Sequence, residues 1–153
     1  FKRYNAMGTR VSFKFRRLLE ERRLTRIKPD RKLVLKEIEG AKSDLETARK
    51  SLQDGNVKWA IIQGYYSIFH AARALLYSKG FREKSHYALL IAVQELFSDA
   101  LEQSLIQGFE DAMNLRQTAD YGLTFSKEGA LDVIKTADKF LLKIKEILKI
   151  SNK

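Results

Sequence analysis

The chain has 153 residues, with 29 Lys/Arg against 19 Asp/Glu, two histidines, no cysteine and a hydrophobic fraction of 44%, which is one domain's length with enough apolar material for a core. The absence of cysteine excludes a disulfide framework, a thiolate nucleophile and a Cys-type zinc site, and two histidines argue against a histidine-rich metal centre, so no metal or other cofactor is expected. No apolar run approaches the roughly 18 to 20 residues that span a bilayer, and the N-terminus lacks the basic-then-apolar order of a secretory signal; the expectation is a cytosolic chain with no membrane contact.

The sequence opens on Phe1, and Met7 is expected to mark the natural start, with residues 1–6 preceding it. The net charge of +10 gathers at this end. Residues 1–32 hold twelve Lys/Arg against three acids, a balance of +9, while residues 33–153 hold seventeen against sixteen, a balance of +1. Lys14, Arg16, Arg17, Arg22, Arg23, Arg26 and Lys28 read either as a sequence-independent contact for phosphates or as a solvated arm. The expected division is a basic N-terminal segment over 1–30 and a helical domain over 31–153.

Phe13, Phe15, Leu18, Leu19 and Leu24 predict a short helix over 13–24, broken by Pro29 and Asp30. Asp30 can cap the next element. Leu33, Val34, Ile38, Ala41, Leu45, Ala48 and Leu52 then recur at three-to-four-residue intervals, a helix of about five turns ending near Asp54-Gly55-Asn56. Asn56 can cap a helix running from Val57 to about Lys79, and Gly80 stops it. Ser85 caps a following helix carrying Leu89, Leu90, Val93, Leu96 and Phe97; another spans Leu105 to about Arg116; 118–125 is a connection; and Ser126 caps a last helix with lysines toward its C-terminal end. With no strand-like alternation, the predicted fold is all-α, an up-and-down bundle of about five helices with a short basic N-terminal helix or arm.

Placed on a wheel at about 100° per residue, the segment from 57 to 79 shows three faces. One is large and apolar, with Ile61, Ile62, Tyr65, Ile68, Phe69, Ala72, Leu75 and Leu76. A second has only small side chains, Ala60, Gly64, Ser67, Ala71, Ala74 and Ser78. The third runs Trp59, Gln63, Tyr66, His70, Arg73 and Tyr77. A helix with so little solvated surface belongs at the centre of a bundle. The third face is aromatic and polar together, costly to bury alone, so it lines a groove or dimer face, or else closes into an internal hydrogen-bond network.

The familiar catalytic signatures are missing: no phosphate-binding P-loop, no dinucleotide glycine pattern, no GxSxG and no HExxH. Chemistry without them would run on Arg, Lys, His, Tyr, Asp and Glu. Metal-independent RNA cleavage by the 2′-hydroxyl needs a group that moves a proton and a cation for the phosphorane-like charge, roles open to His86 and Arg82. The start of the helix at Ser85 offers unpaired N–H groups with Lys84 beside them, which suits a phosphate without any catalysis. The alternative is a wet turn in which Arg82, Glu83 and Lys84 stay solvated and His86 makes a local bond. Arg116 and Asp120, four apart, suggest a structural ion pair, with Tyr121 beside them.

The combination of IKPD at 27–30, WAIIQGYYSIFHAARALLYSKGFREKSHYALL at 59–90 and DYGLTFSKEGA at 120–130 resembles the HEPN domain, in its single-domain archaeal and bacterial members, from about Phe13 onward. The resemblance implies an up-and-down bundle, commonly dimeric, often encoded beside a minimal nucleotidyltransferase with which it forms a toxin and antitoxin pair. Many such domains are metal-independent ribonucleases using an arginine and a histidine with four to six residues between them, the active site being assembled across the dimer; others bind nucleotide or RNA without catalysis. Carried over, the pair is Arg82 and His86, here with three residues between. In some relatives the transferase adds AMP to a tyrosine two positions beyond the histidine; here Tyr87 is adjacent and position 88 is Ala. The expectation is therefore a homodimeric, nucleotide- or RNA-binding component of a nucleotidyltransferase/HEPN pair, with Arg82, Lys84, Ser85, His86 and Tyr87 facing phosphate. Two alternatives stand beside it: a ribonuclease toxin using Arg82 and His86, aided by Tyr87 or Arg73, and a non-catalytic protein-interaction subunit.

Overall fold

The computed structural model describes residues 2–4, 10–122 and 124–151; the expected start at Met7 lies outside them. Two short strands, β1 (Lys2–Tyr4) and β2 (Arg10–Ser12), pair antiparallel and lead into α1 (Phe13–Glu20). Next come β3 (Leu24–Arg26), α2 (Arg31–Gln53), α3 (Val57–Ser78), β4 (Phe81–Glu83), α4 (His86–Leu96), α5 (Gln103–Tyr121) and α6 (Lys127–Leu148). The fold is the expected helical bundle.

The sequence shows no sign of the strands because each is only three residues long, too short for an alternation to register. Their pairing is decided by tertiary contact: β3 lies antiparallel to β4 with Leu24 opposite Glu83, Thr25 opposite Arg82 and Arg26 opposite Phe81. The expected first helix also stops early, at Glu20. Arg22 adopts the left-handed conformation (φ 59°), and Arg23 N–H reaches the Leu18 carbonyl at 2.9 Å, a Schellman-type ending that turns Leu24 into the core. Phe15, Leu18 and Leu24 are buried with the main core, and Phe15 meets Phe81 edge to face at 5.3 Å. Such a ring pair adds about 1 kcal/mol to the area it buries. The basic segment is thereby anchored on β4 and α4.

Around α3 the packing follows its small-residue face. Ser67 donates to the Ala41 carbonyl at 2.7 Å, which draws α2 close, and a Cβ built on Gly64 would come within 2.9 Å of Val133 on α6. Ala60, Ala71 and Ala74 are fully buried beside them. On the apolar face Tyr65, Ile68, Leu75 and Leu76 are equally inaccessible.

The helix starts follow their capping side chains. Asp30 accepts from Lys32 N–H (2.9 Å), Ser85 from Ala88 N–H (3.0 Å) and Ser126 from Gly129 N–H (3.0 Å), whereas Asn56 occupies the cap position of α3 without a side-chain bond. Gly80 has φ +82°, and a Cβ there would lie 3.0 Å from the Ile27 carbonyl, so only glycine turns α3 into β4 at this point. The fifth helix runs further than expected, to Tyr121, because buried Ala119 and the Arg116–Asp120 pair extend its inward stripe to the Gly122 break.

Candidate phosphate-binding site

His86 is the first residue of α4, and its half-buried ring turns back onto α3. Its Nδ1 lies 2.5 Å from the Tyr65 hydroxyl, and its ring stacks on Phe69 with centroids 4.5 Å apart. Tyr65 stacks at 5.6 Å and Tyr66 presents its edge at 6.0 Å. Tyr65 and Phe69 are four apart and so share one face of α3. Tyr65 itself is fully buried, and a buried phenol needs a partner for its hydroxyl; His86 supplies it.

Two cations flank this ring stack. Arg116 of α5 sits over the Tyr65 ring at 5.2 Å and the Tyr66 ring at 6.0 Å, and its Nη1 lies 3.6 Å from Asp120. It is only 8% exposed, and its Nε has no hydrogen-bond partner. Arg73 of α3 lies over the rings of Phe69 (5.3 Å) and Tyr77 (5.2 Å), bonds the Tyr77 hydroxyl, and pairs with Glu37 at 3.4 Å and Glu83 at 3.2 Å.

Burial, then the charges of Arg116 and Arg73, hold the His86 imidazole below its ordinary pKa, so it is neutral at pH 7. Burial pushes the Tyr65 phenol well above its usual range, against the pull of Arg116. Tyr65 therefore keeps its proton. A guanidinium only donates, so the Tyr65 O–H is assigned as donor to His86 Nδ1, and the imidazole proton resides on Nε2. The result is a neutral N–H donor with two guanidinium groups near it, an arrangement whose chemistry suits an anion.

A sequence model of the HEPN domain matches residues 34–147. The chain belongs to the HEPN domain family. It is 32% identical over 115 residues to a Methanocaldococcus jannaschii protein named "Putative toxin MJ0142", covering 72% of this chain and 78% of that one. An Archaeoglobus fulgidus "UPF0332 protein" is 29% identical over 111 residues, covering 71% and 89%. Among solved structures, that of TT1696 from Thermus thermophilus superposes with a TM-score of 0.63 over 74% of this chain and 96% of the other; at 17% identity the likeness speaks to fold alone.

In this HEPN chain the residues singled out from sequence divide into separate environments. Alternation along β4 buries Phe81 and turns Glu83 inward while Arg82 faces out, so the charges acting on His86 come from Arg116 and Arg73, and Arg82 acts on Tyr77 and Glu83. Lys84 and Ser85 are exposed, with Lys84 N–H held by the Arg23 carbonyl at 2.9 Å. Tyr87 is 52% exposed and turns toward α1, away from His86's neighbours; Tyr121 is exposed at the end of α5.

The third face of α3 is likewise divided. Trp59 is exposed, Gln63 is bonded by Ser51 at 2.7 Å, and Tyr66 borders the His86 stack. His70 lies between Glu37 (2.5 Å) and Asp44 (3.4 Å), and Tyr77 is buried on Arg73. Its lower part thus closes through α2. Sequence reasoning placed Tyr65 and Phe69 only in the core and missed Glu37, Asp44 and Glu83; the usable signal was a tyrosine on an otherwise apolar face.

A larger hollow of about 730 Å³ lies between α5 and α6, where the helices touch at Gly108 and Thr136 and then diverge. Its polar lining mixes Asp111 and Asp132 with Lys135 and Lys139 and contains no aromatic ring or histidine. It lacks the convergent groups found at His86. No helix among the described residues is long and apolar enough to cross a membrane.

Proposed function

We propose that this HEPN chain binds the phosphate of a nucleotide or of RNA at His86, with Arg116 and Arg73 as the charge partners. One observation carries the reading: a buried arginine with an unpartnered Nε beside a neutral histidine whose Nε2–H is free to donate. Arg82 and Lys84, exposed on the chain entering α4, add longer-range attraction, and Ser85 opens the helix N-terminus toward an anion. The names of its relatives support a toxin-like role, and the family resemblance supports a homodimer paired with a minimal nucleotidyltransferase.

Calorimetric titration with AMP, ATP and a short RNA tests the site. His86→Ala and Arg116→Met should each weaken binding by about ten-fold or more, as expected for a lost charge-assisted bond of roughly 1.5 to 3 kcal/mol. Arg82→Ala with Lys84→Ala should cost less. Wild-type affinity in folded His86→Ala and Arg116→Met would end the proposal.

A second reading is metal-independent RNA cleavage, favoured by an imidazole kept uncharged at neutral pH; it requires the opposite tautomer, with Tyr65 accepting from Nδ1–H and the Nε2 lone pair open as base. In that step the 2′-oxygen bonds to phosphorus, its proton passes to the base, and the departing 5′-oxygen takes a proton from an acid. RNA left intact by wild type in chelator, with binding retained, removes this reading and leaves the first.

A further inference from the structure

The sequence isolates a strongly basic segment that the His86 site does not use, and the fold gives it a place. Between α1 and α4 lies a hollow of about 350 Å³, the size range of a small-ligand site. Leu18 and Ile91, both buried, form its floor, and the exposed ring of Tyr87 stands in its wall. Lys14, Arg17 and Arg23 supply three cations against the single carboxylate of Glu21, which pairs with Arg17 at 2.8 Å and Arg23 at 3.8 Å. Its lining therefore carries net charge +2 around an accessible aromatic face.

An apolar floor, one open ring and excess cations are the complement of a nucleotide in a flexible strand: a base to stack and phosphates to neutralise. We infer that this hollow engages a single-stranded nucleic acid, with one base stacked on Tyr87 and adjoining phosphates on Lys14, Arg17 and Arg23. The inference rests on the proposed function for the class of ligand and extends it from a single phosphate to a strand. His86 and Tyr87 are consecutive residues of α4 whose side chains face opposite neighbours, α3 and α1, so one strand crossing the start of α4 meets both. A duplex holds its bases stacked internally and offers none to Tyr87.

Fluorescence anisotropy with labelled oligouridylate and oligothymidylate of about 12 nucleotides tests this, since single-strand sites span roughly 4 to 16. Tyr87→Ala should weaken binding about ten-fold while Tyr87→Phe, which keeps the stacking ring, stays near wild type. Lys14→Ala with Arg17→Ala should weaken it and lower the salt slope by roughly 1 to 2. Glu21→Gln, which releases two guanidiniums, should tighten it. Unchanged affinity in Tyr87→Ala and in the Lys14/Arg17 variant, or equal loss in Tyr87→Phe and Tyr87→Ala, overturns the inference. His86→Ala read with the same probe separates the two sites. Loss there with none at Tyr87 refutes the strand contact and keeps the phosphate site, and the converse refutes the phosphate site alone. Apart from half-buried His86, the substituted side chains lie at the surface, and thermal melts confirm folding in each variant.

Discussion

Two clusters packed against α3 each combine a histidine with arginine, yet their electrostatics differ. At His70 the ring sits between Glu37 and Asp44, and Arg73 is held by Glu37 and Glu83, so charge is met by charge. At His86 the partners are a phenol, two further aromatic rings and two guanidiniums, and among the described residues no carboxylate pairs with the imidazole. The first arrangement ties α2 to α3 and β4. The second pairs Arg116 with Asp120 at 3.6 Å but leaves its Nε unpartnered and the imidazole without a carboxylate, so donors remain open to an anion.

Removing a carboxylate from the first region gives the largest expected effect. Glu37→Ala leaves His70 and Arg73 short of their shared partner in a largely buried place, and unfolding in urea should show a loss of about 3 kcal/mol. His86→Ala removes the partner of the buried Tyr65 hydroxyl and should cost less, about 1 to 2 kcal/mol, while weakening ligand binding about ten-fold or more. A Glu37→Ala protein as stable as wild type would erase the distinction between the regions.

The second test uses pH, where the two regions have opposite signs. Burial raises Asp44 and Glu83 above their ordinary pKa values, so their contribution to stability is fully present below those values and declines as pH rises through the folded ones. His86 is depressed below 6.5, so its contribution is present above that value and is lost as pH falls through its folded pKa. Between neutrality and mild acid, unfolding free energy should therefore fall with pH through His86, and His86→Gln should flatten that slope. Bound phosphate should offset the fall, since the anion favours the charged ring. A slope unchanged in His86→Gln would place the titrating group elsewhere.

The helices were legible because capping residues and three-to-four-residue spacing are local. Ser85, Ser126 and Asp30 fix helix starts with side-chain bonds two or three residues away, and Gly80 marks its turn by a conformation few other residues adopt. The site was only half legible. His86 could be singled out from its position after a cap, but Arg116 is thirty residues further on and meets it only because α5 packs across α3. Arg82 is close in sequence, yet strand alternation on β4 turns it outward, and a three-residue strand leaves no pattern from which to foresee that. Glu37 was hidden for the same reason, since a glutamate on a long helix reads as solvated until its neighbour is known.

The smallest effect probes the joint between the core and the site. Tyr65→Phe deletes only the hydroxyl that binds His86 Nδ1, and the ring contacts with Phe69 and Phe109 remain. Losing one such bond should cost about 1 kcal/mol, because the phenol oxygen leaves together with its hydrogen and the imidazole stays partly solvated. The informative readout is the imidazole nitrogen spectrum. With Tyr65 present, the proton should sit on Nε2; in the Tyr65→Phe variant it should distribute over both nitrogens, and phosphate affinity should drop modestly as the donor is no longer fixed. If the wild-type spectrum already shows the proton on Nδ1, Tyr65 accepts instead of donating, the exposed Nε2 carries a lone pair, and the pocket is set up to take a proton from a ligand instead of giving a hydrogen bond to one.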